Sequence, residues 1–297
     1  MFPSRAAIVA TAGEAIARGS RSFGAASRLF DRQTRERAWL LYAWCRACDD
    51  LADGQDHGHD ARAVADPEAR LAMIRGLTEA ALAGQWIGNA AFDALRIVVA
   101  EAGIPHALVW DVVEGFALDA AGWQPESEGD LYLYCYHVAG AVGCMMAVVM
   151  GVSADNDAVL DRACDLGIAF QLGNIARDLG EDAANGRCYL PVAWRDQPRA
   201  EAGARLAERA AAYGASGRAG TPALSFRSAW AVLAAAGIYG DIARKVAERG
   251  AAAWDTRVST SPFEKLGWIG RAFGQAVRRT ALFPPVLRDG LWTRAQD

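Results

Sequence analysis

Apolar residues recur at three- and four-residue spacing along almost the whole chain, whereas the alternating runs that indicate strands are nearly absent. This period predicts an all-α fold. Polar segments rich in Gly, Pro, Asn and Asp separate the periodic stretches and are typical of turns. The periodic stretches predict ten helices, over residues 5–17, 34–52, 67–82, 89–102, 105–121, 129–150, 154–182, 199–212, 225–253 and 262–280.

The polar breaks between these helices are short. None is long enough to link two domains, so residues 1–297 are expected to form a single helical domain. Hydrophobic residues make up 53% of the chain, which is enough for a large core. Residues 285–297 are expected to form a flexible tail.

The most apolar stretch, residues 138–152, has about 15 apolar or small residues, fewer than the roughly 20 that span a bilayer. It therefore predicts a buried core helix. The N-terminal segment is a poor signal peptide because Gly and Glu interrupt it, which favours a cytoplasmic protein. The net charge of −4 and the lack of a Lys/Arg block argue against nucleic-acid binding. The six cysteines lie mostly in apolar helical patterns and are expected to be free thiols.

The segment YAWCRACDDLAD places two acidic residues on one helical face. At about 100° per residue, an arc of about 60° contains Tyr42, Arg46, Asp49 and Asp53. Carboxylates four positions apart on a helix repel each other by a few tenths of a kcal/mol. A neighbouring cation, either Arg46 or a bound metal ion, is therefore expected to offset the repulsion.

The segment QLGNIARDLGED repeats this arrangement far along the chain. An arc of roughly 80° contains Gln171, Asn174, Asp178 and Asp182. Oxygen ligands without His or Cys suit a hard cation, and magnesium typically takes one or two carboxylates together with substrate phosphates. Two such helices facing each other would hold a diphosphate.

Each acidic stretch could instead be a solvated helix surface, which is the common setting for acids four positions apart. Apolar residues that should be buried flank both stretches and argue against this reading: Leu40, Leu41, Trp44, Phe170, Leu172 and Ile175. The two stretches together favour a metal-dependent diphosphate site.

Nearly the whole chain resembles the squalene/phytoene synthase family, and specifically its bacterial phytoene synthases. The resemblance is carried by GSRSF, LYAWCRACDDLAD, EGFALD, YCYHVAGAVG and DRACDLGIAFQLGNIARDLGEDAANGRCYLP, and it resumes with RSAW and with IYGDIARKV to WDTRVST. It implies a single-domain isoprenoid-synthase helical bundle with a central cavity. The cavity walls would carry the two DxxxD motifs.

The resemblance also implies roles for individual residues. It assigns catalysis to Tyr42, Arg46, Asp49, Asp53, Asp178 and Asp182. It assigns diphosphate binding to Ser20, Arg21, Gln171, Asn174, Arg177, Tyr189 and Arg257. It assigns the prenyl tunnel to Phe23, Tyr134, Val138 and Gly143, and metal binding to Asp49, Asp53, Asn174, Asp178 and Asp182. Close helix packing is an alternative reason for the glycine at position 143.

The implied reaction joins two geranylgeranyl diphosphates head to head through a cyclopropyl intermediate, prephytoene diphosphate, to phytoene in carotenoid biosynthesis. It needs Mg²⁺, with Mn²⁺ as an alternative, and no NADPH. The hydrocarbon product and the C-terminal residues Trp268 and Trp292 suggest peripheral contact with the inner face of a membrane.

Two other functions stay open at this point. A related synthase would use farnesyl diphosphate to make squalene or dehydrosqualene, and the shared motifs do not separate the two. A non-catalytic relative would act as an assembly or binding module, but it should have lost members of the aspartate pairs. The CxxC formed by Cys45 and Cys48 lies within a predicted helix without a second CxxC, so a structural role is expected rather than a redox or zinc site.

Overall fold

The computed structural model describes residues 2–53 and 66–295, except for the side chains of Arg21, Ser22 and Asp53. The secondary structure of these residues is entirely helical, as the apolar period predicts. The helices are α1 (Arg5–Gly19), α2 (Arg21–Ser27), α3 (Arg32–Asp53), α4 (Pro67–Leu82), α5 (Ala90–Ala102), α6 (His106–Ala120), α7 (Glu128–Cys135), α8 (Ala141–Val149), α9 (Asp157–Ala184), α10 (Val192–Arg195), α11 (Arg199–Ala219), α12 (Phe226–Arg249), α13 (Pro262–Val277) and α14 (Arg279–Leu282). A π-helical turn (Tyr136–Gly140) joins α7 to α8, and 3₁₀ turns (Thr221–Ala223 and Gly250–Trp254) follow α11 and α12.

Side-chain caps fix where several helices begin. At the start of α7 the Asp130 backbone N–H donates to Ser127 Oγ at 3.2 Å, and the Ser127 N–H donates to the Asp130 carboxylate at 2.8 Å. Ser261 and Glu264 form the same reciprocal pair at the start of α13. Each cap contributes about 1 kcal/mol because it satisfies N–H groups that lack an intrahelical partner. Both are visible in the sequence as Ser followed three positions later by an acid.

The core lies around α9, which packs against α8, α11 and α12. Ile168 and Leu172 of α9 are fully buried, as are Leu40 and Trp44 of α3. Burial of one such side chain stabilises the fold by roughly 1.5–3 kcal/mol. Because α3 and α9 are both held by core packing along one face, the positions of their polar residues are fixed as well.

The observed helices differ from the predicted ones in three main respects. The short helices α2 and α10 lie where no helix is predicted. In addition, α11 continues to Ala219, through a segment predicted to be a turn after residue 212. A Cβ on Gly217 would lie 2.7 Å from the Cβ of Leu166. The glycine therefore allows α11 to contact α9 closely and does not end the helix.

The apolar segment from α7 to α8 forms one long helix that contains the π turn. Among the described residues, Glu128–Val149 is long and apolar enough to cross a membrane by length and composition. The bundle buries 61% of its most apolar window. This is the environment of a core helix, which is what the sequence predicts for residues 138–152.

Two glycines allow the helix ending in α8 to approach α9. A Cβ on Gly167 would lie 2.3 Å from the carbonyl oxygen of Ala139, and a Cβ on Gly143 would lie 2.4 Å from that of Ala163. Both distances are far below van der Waals contact, so any larger residue requires the two backbones to separate. Helix packing is thus one reason for the glycine at position 143.

We expect Gly167→Ala to lower the free energy of unfolding by about 1–3 kcal/mol, the usual cost of overpacking a rigid core. Gly76→Ala in α4 is the matched control, because nothing lies within 4 Å of a Cβ at that position. The control should stabilise the protein by about 0.5–1 kcal/mol, since Ala favours a helix more than Gly does. Urea unfolding followed by circular dichroism measures both changes. Equal unfolding midpoints for the two variants would show that the helices separate without cost.

The last described residues are bound to α9. Arg288 donates to the two oxygens of Asp165 at 2.8 Å each, and Arg294 Nε donates to Asp161 Oδ1 at 3.0 Å. Asp165 is fully buried, and removing one partner of a buried ion pair typically costs about 3–5 kcal/mol. The described part of the segment expected to be a flexible tail is therefore attached to the bundle by buried ion pairs.

Candidate active site

A cavity of about 620 Å³ runs through the bundle between α3, α9 and α12. The residues of α9 that line it extend from Val159 to Asp182, a helical length of about 35 Å at 1.5 Å per residue. Acidic and amide side chains line it near the C-terminal end of α9. Near the N-terminal half of α9 its walls are mostly apolar, with Met146, Met150, Val159, Ala163, Leu166 and Leu224. The cavity is thus polar at one end and apolar at the other.

The structure brings the two predicted acidic helices to this one cavity. Asp49 lines it from α3, and Asp178 and Asp182 line it from α9. The Asp53 side chain lies outside the described residues, so the structure describes one of the two carboxylates that were expected on α3. The helical arcs read from the sequence correspond to the faces that these helices turn to the cavity.

Asp178 is held by two arginines. Arg177 Nε donates to Asp178 Oδ1 at 2.8 Å, and Arg257 Nη2 lies 3.1 Å from the same oxygen. Arg257 also pairs with Glu181. Within the described part of the chain, neither arginine is among the residues that line the cavity. Both arginines therefore contact Asp178 here, and their expected role at a diphosphate stays a prediction.

Asp182 lacks comparable neutralisation. Burial is the largest cause that raises its pKa to about 6, and the neighbouring Asp178 carboxylate raises it further. Arg187, which also lines the cavity, lowers it. A carboxylate with a raised pKa is one whose charged form is disfavoured, so additional positive charge at this position would be favourable.

Tyr42 and Arg46 present unsatisfied polar atoms at the cavity. The Tyr42 hydroxyl and the Arg46 Nε are buried, and neither atom makes a hydrogen bond of good geometry within the residues that the structure describes. The two side chains are neighbours, and Arg46 Nη1 lies 3.5 Å from Asp49 Oδ2. Burial raises the pKa of Tyr42, so its hydroxyl stays protonated near neutral pH. A buried donor without a partner costs about 1–3 kcal/mol. These two groups therefore favour a ligand that supplies acceptor oxygens.

The bend between α1 and α2 shapes the cavity beside Tyr42. A Cβ on Gly19 would lie 2.5 Å from the Tyr42 hydroxyl oxygen, so only glycine leaves room for the ring in this position. Ser20 caps α2 by accepting a hydrogen bond from the Phe23 backbone N–H at 3.2 Å. Gly19, Ser20 and Phe23 all line the cavity. The side chain of Arg21, in the same turn, lies outside the described residues.

The remaining expected residues lie on the same cavity wall. Gln171 and Asn174 line it side by side, with the Asn174 amide donating to Gln171 Oε1 at 3.4 Å. The four residues expected in the prenyl tunnel all line it: Phe23, Tyr134, Val138 and Gly143. Their location agrees with the expected roles, which themselves stay predictions.

Asp119 of α6 lines the cavity without having been assigned from the sequence. Tyr134 and Tyr189 donate to its Oδ1 at 3.0 and 3.2 Å, and their rings stack with centroids 4.9 Å apart. Burial is the largest cause that raises the pKa of both tyrosines, so both remain protonated donors. Arg187 is a second cavity residue that was not assigned. Asp119 stands in the quoted EGFALD segment, but a single acid has no spacing pattern that marks it as facing a cavity.

The CxxC cysteines are free thiols, as are the other cysteines. Cys48 is buried, and Cys45 lines the cavity. Burial raises the pKa of both thiols far above neutrality, which makes them poor nucleophiles.

His137 Nδ1 lies 2.9 Å from the backbone oxygen of Asp111, a hydrogen bond that orients the ring.

The donor set can be tested against a metal ion. Among the described residues, no group of three or more His, Cys, Asp or Glu side chains could hold a metal. The carboxylates of Asp49, Asp119, Asp178 and Asp182 line the cavity, together with the amide oxygens of Gln171 and Asn174. Such donors suit Mg²⁺ or Mn²⁺, which bind through one or two carboxylates and complete their shell with water and phosphate oxygens. The residues fit a metal that binds together with a phosphate ligand.

Known proteins resemble this chain over nearly its full length. The family model described as squalene/phytoene synthase matches residues 16–264. The chain is 43% identical to a 15-cis-phytoene synthase from Pantoea ananas, over 95% of this chain and 96% of that protein. It is 44% identical to a 15-cis-phytoene synthase from a Paracoccus species, over 97% and 98% of the two chains. A solved dehydrosqualene synthase shares the fold with a TM-score of 0.81 and 24% identity, over 91% and 96% of the two chains.

Proposed function

The chain belongs to the squalene/phytoene synthase family, and from that premise we propose that it condenses two geranylgeranyl diphosphates head to head to give phytoene. The two relatives named 15-cis-phytoene synthase are 43–44% identical to this chain over almost the full length of each pair. The observation that supports the chemistry is the division of the cavity. Carboxylates and unsatisfied donors at one end suit a diphosphate, and the apolar walls at the other suit a prenyl chain.

Asp49, Asp178 and Asp182, with the amide of Asn174, are proposed to hold Mg²⁺ or Mn²⁺ on the diphosphate. When bound, the metal neutralises the charge that develops on the leaving diphosphate. No NADPH is required, because the proposed last step is the loss of a proton. Asp53 completes the proposed metal ligands, on the resemblance alone.

The polar side chains then have separate tasks. Tyr42 and Arg46 donate their unsatisfied hydrogens to phosphate oxygens, which relieves the cost of burying them without a partner. Arg177 and Arg257 hold Asp178 in place until phosphate oxygens compete for their guanidinium groups. Gln171 and Ser20 extend the polar wall on which the diphosphate rests.

The apolar walls keep water away from the allylic cation, which water would convert to an alcohol. Aromatic rings can stabilise the cation through their faces. Phe23 and Tyr134 line the cavity, and Tyr134 is fixed by its bond to Asp119. Asp119 therefore acts as a positioning residue for that ring.

Incubation of the purified chain with Mg²⁺ and each prenyl diphosphate, followed by extraction and mass spectrometry, tests this function. We expect geranylgeranyl diphosphate to give a forty-carbon hydrocarbon, with the same rate and product when NADPH is added. Farnesyl diphosphate should react more slowly, because each missing carbon forfeits roughly 0.8 kcal/mol of apolar contact. Squalene that forms only with NADPH would establish the fifteen-carbon alternative instead. Release of no diphosphate from any substrate would favour the non-catalytic alternative.

The proposed location is the cytoplasm, with peripheral contact at the inner face of the membrane. The product is a hydrocarbon without a polar group, so water is a poor acceptor for it. Contact with a bilayer would give the product a solvent in which it dissolves.

A further inference from the structure

The helix α13 exposes an unusual number of large apolar side chains. Phe263 is 87% exposed, Leu266 66% and Val277 59%, and Phe273 is 47% exposed. These four side chains fall within an arc of about 80° on the helix. We call them the outer face of α13. Leu282, Val286 and Leu287, just beyond the helix, are exposed as well.

The opposite side of α13 is firmly packed. Ala272 and Ala276 are buried against α12, and Trp230 Nε1 donates to the Ile269 carbonyl at 2.9 Å. On the outer side, a Cβ added to Gly267 or Gly270 would have no atom of the described residues within 4 Å. The helix is therefore held rigidly, and Phe263, Leu266 and Val277 are left largely uncovered by the described chain. Phe273, at the edge of the outer face, also packs edge-on against Phe226 and Trp230 of α12.

The charges beside the outer face are positive, although the whole chain has a net charge of −4. Arg271 and Arg278 are exposed along one edge of it. In the sequence from residue 262 to 288, Glu264 is the single acid against five bases, and its carboxylate pairs with Lys245 at 2.7 Å. An apolar face bordered by arginines complements a bilayer with anionic head groups.

A second copy of the chain fits this face less well. A twofold contact would place the outer face against itself and bring the arginines of both copies together. Like charges that meet across an interface cost several kcal/mol unless they are neutralised. Glu264, the exposed acid on the same side of α13, already pairs with Lys245 and is a single charge against the two arginines.

The outer face is also close to the apolar end of the cavity. Met150, Leu224 and Val232 line the cavity and also pack in the cluster that contains Ala272 and Ala276 of α13. One layer of side chains thus separates the apolar end of the cavity from the helix with the exposed face. A hydrocarbon made in the cavity would have a short route to a bilayer at this position.

We propose that the outer face of α13 inserts into the head-group region of an anionic bilayer, with Arg271 and Arg278 on lipid phosphates. The binding rests on the surface alone. Its use for product release rests on the proposed function.

Co-sedimentation of the full chain with lipid vesicles, without substrate or metal, tests the binding. We expect the chain to bind vesicles of phosphatidylcholine with phosphatidylglycerol and to bind phosphatidylcholine vesicles at least about tenfold more weakly. Phe263→Ser with Leu266→Ser should weaken binding by about a hundredfold, since two apolar side chains no longer insert. Arg271→Gln with Arg278→Gln should weaken it by about thirtyfold, and added salt should reduce that difference.

Met73→Ser with Val192→Ser is the matched control, because these side chains are 53% and 54% exposed and lie on other helices. This control should bind like the wild type. Absence of wild-type binding, or equal binding by the Phe263/Leu266 variant, overturns the proposal. Light scattering gives the remaining outcome: a wild-type dimer that the Phe263/Leu266 variant loses would assign the face to a second copy. Vesicle binding by a chain that makes no hydrocarbon would leave this proposal standing and reject the proposed function.

Discussion

Asp178→Asn, Asp182→Asn and Asp49→Asn are each expected to lower kcat at least about a thousandfold, a loss of roughly 4 kcal/mol of transition-state stabilisation. Each change removes one charged oxygen donor from the cavity at nearly constant side-chain shape. The leaving diphosphate then loses part of the positive charge that the proposed metal supplies. Chelation should have the same effect in the wild type, and added Mg²⁺ should reverse it. Release of diphosphate measures all four results.

Glu181→Gln is the matched control for this set. Glu181 lies on the same helix between the two aspartates and shares Arg257 with Asp178, but it is not among the residues that line the cavity. Its loss should change kcat by no more than a few-fold, in the range of an exposed ion pair. An aspartate variant that keeps more than about a tenth of wild-type kcat would remove that residue from the proposed metal site.

Asp182→Asn should raise the stability of the protein although it lowers kcat. The pKa of Asp182 is raised to about 6 by burial and by Asp178. The folded protein therefore holds this proton more tightly than the unfolded chain does. The free energy of unfolding falls as the pH rises from about 4 to about 6, and the loss is complete above that range. Metal-free Asp182→Asn should melt at a higher temperature than the wild type at pH 7 and at a similar one below pH 4. Higher stability with lost activity is typical of a functional residue.

The sequence predicts most of the fold because the helix signals are local. The apolar period sets the positions of most helices, and the capping pairs Ser127 with Asp130 and Ser261 with Glu264 mark where α7 and α13 begin. The predicted end of α11 was wrong because Gly217 reads as a turn residue, whereas its use is the close approach to Leu166 on a helix distant in sequence. Contacts of that kind are decided by tertiary packing and leave no local signal.

In the candidate site, too, the sequence predicts what depends on local spacing and misses what depends on tertiary contacts. Spacing along one helix indicates which side of α9 carries Asp178 and Asp182, and both residues line the cavity. Arg177 stands 100° from Asp178 on the helix, so spacing alone predicts that its side chain lies outside the cavity. In the structure it is not among the residues that line the cavity. Asp119 could not be found from spacing because its partners, Tyr134 and Tyr189, come from two other segments.

Val232→Phe is expected to abolish the preference for the longer prenyl chain. Val232 of α12 lines the apolar end of the cavity, in the cluster that also contains Met150 and Leu224. A phenyl ring there should occupy the space of the terminal isoprene unit of geranylgeranyl diphosphate. Excluding five carbons at roughly 0.8 kcal/mol each costs about 4 kcal/mol, or about a thousandfold in kcat/KM. Farnesyl diphosphate lacks that unit and should react as it does with the wild type.

The measurement is a competition between the two diphosphates, with the hydrocarbons separated by mass. Val192→Phe makes the same chemical change at an exposed position outside the cavity and should leave the wild-type preference intact. Equal losses with both substrates would mean that the ring disturbs the polar end or the fold, and circular dichroism distinguishes these two cases. Undiminished phytoene formation would place the terminal isoprene unit elsewhere. The apolar end of the cavity would then not set chain length, because a side chain enlarged beside Met150 must exclude any group that binds there.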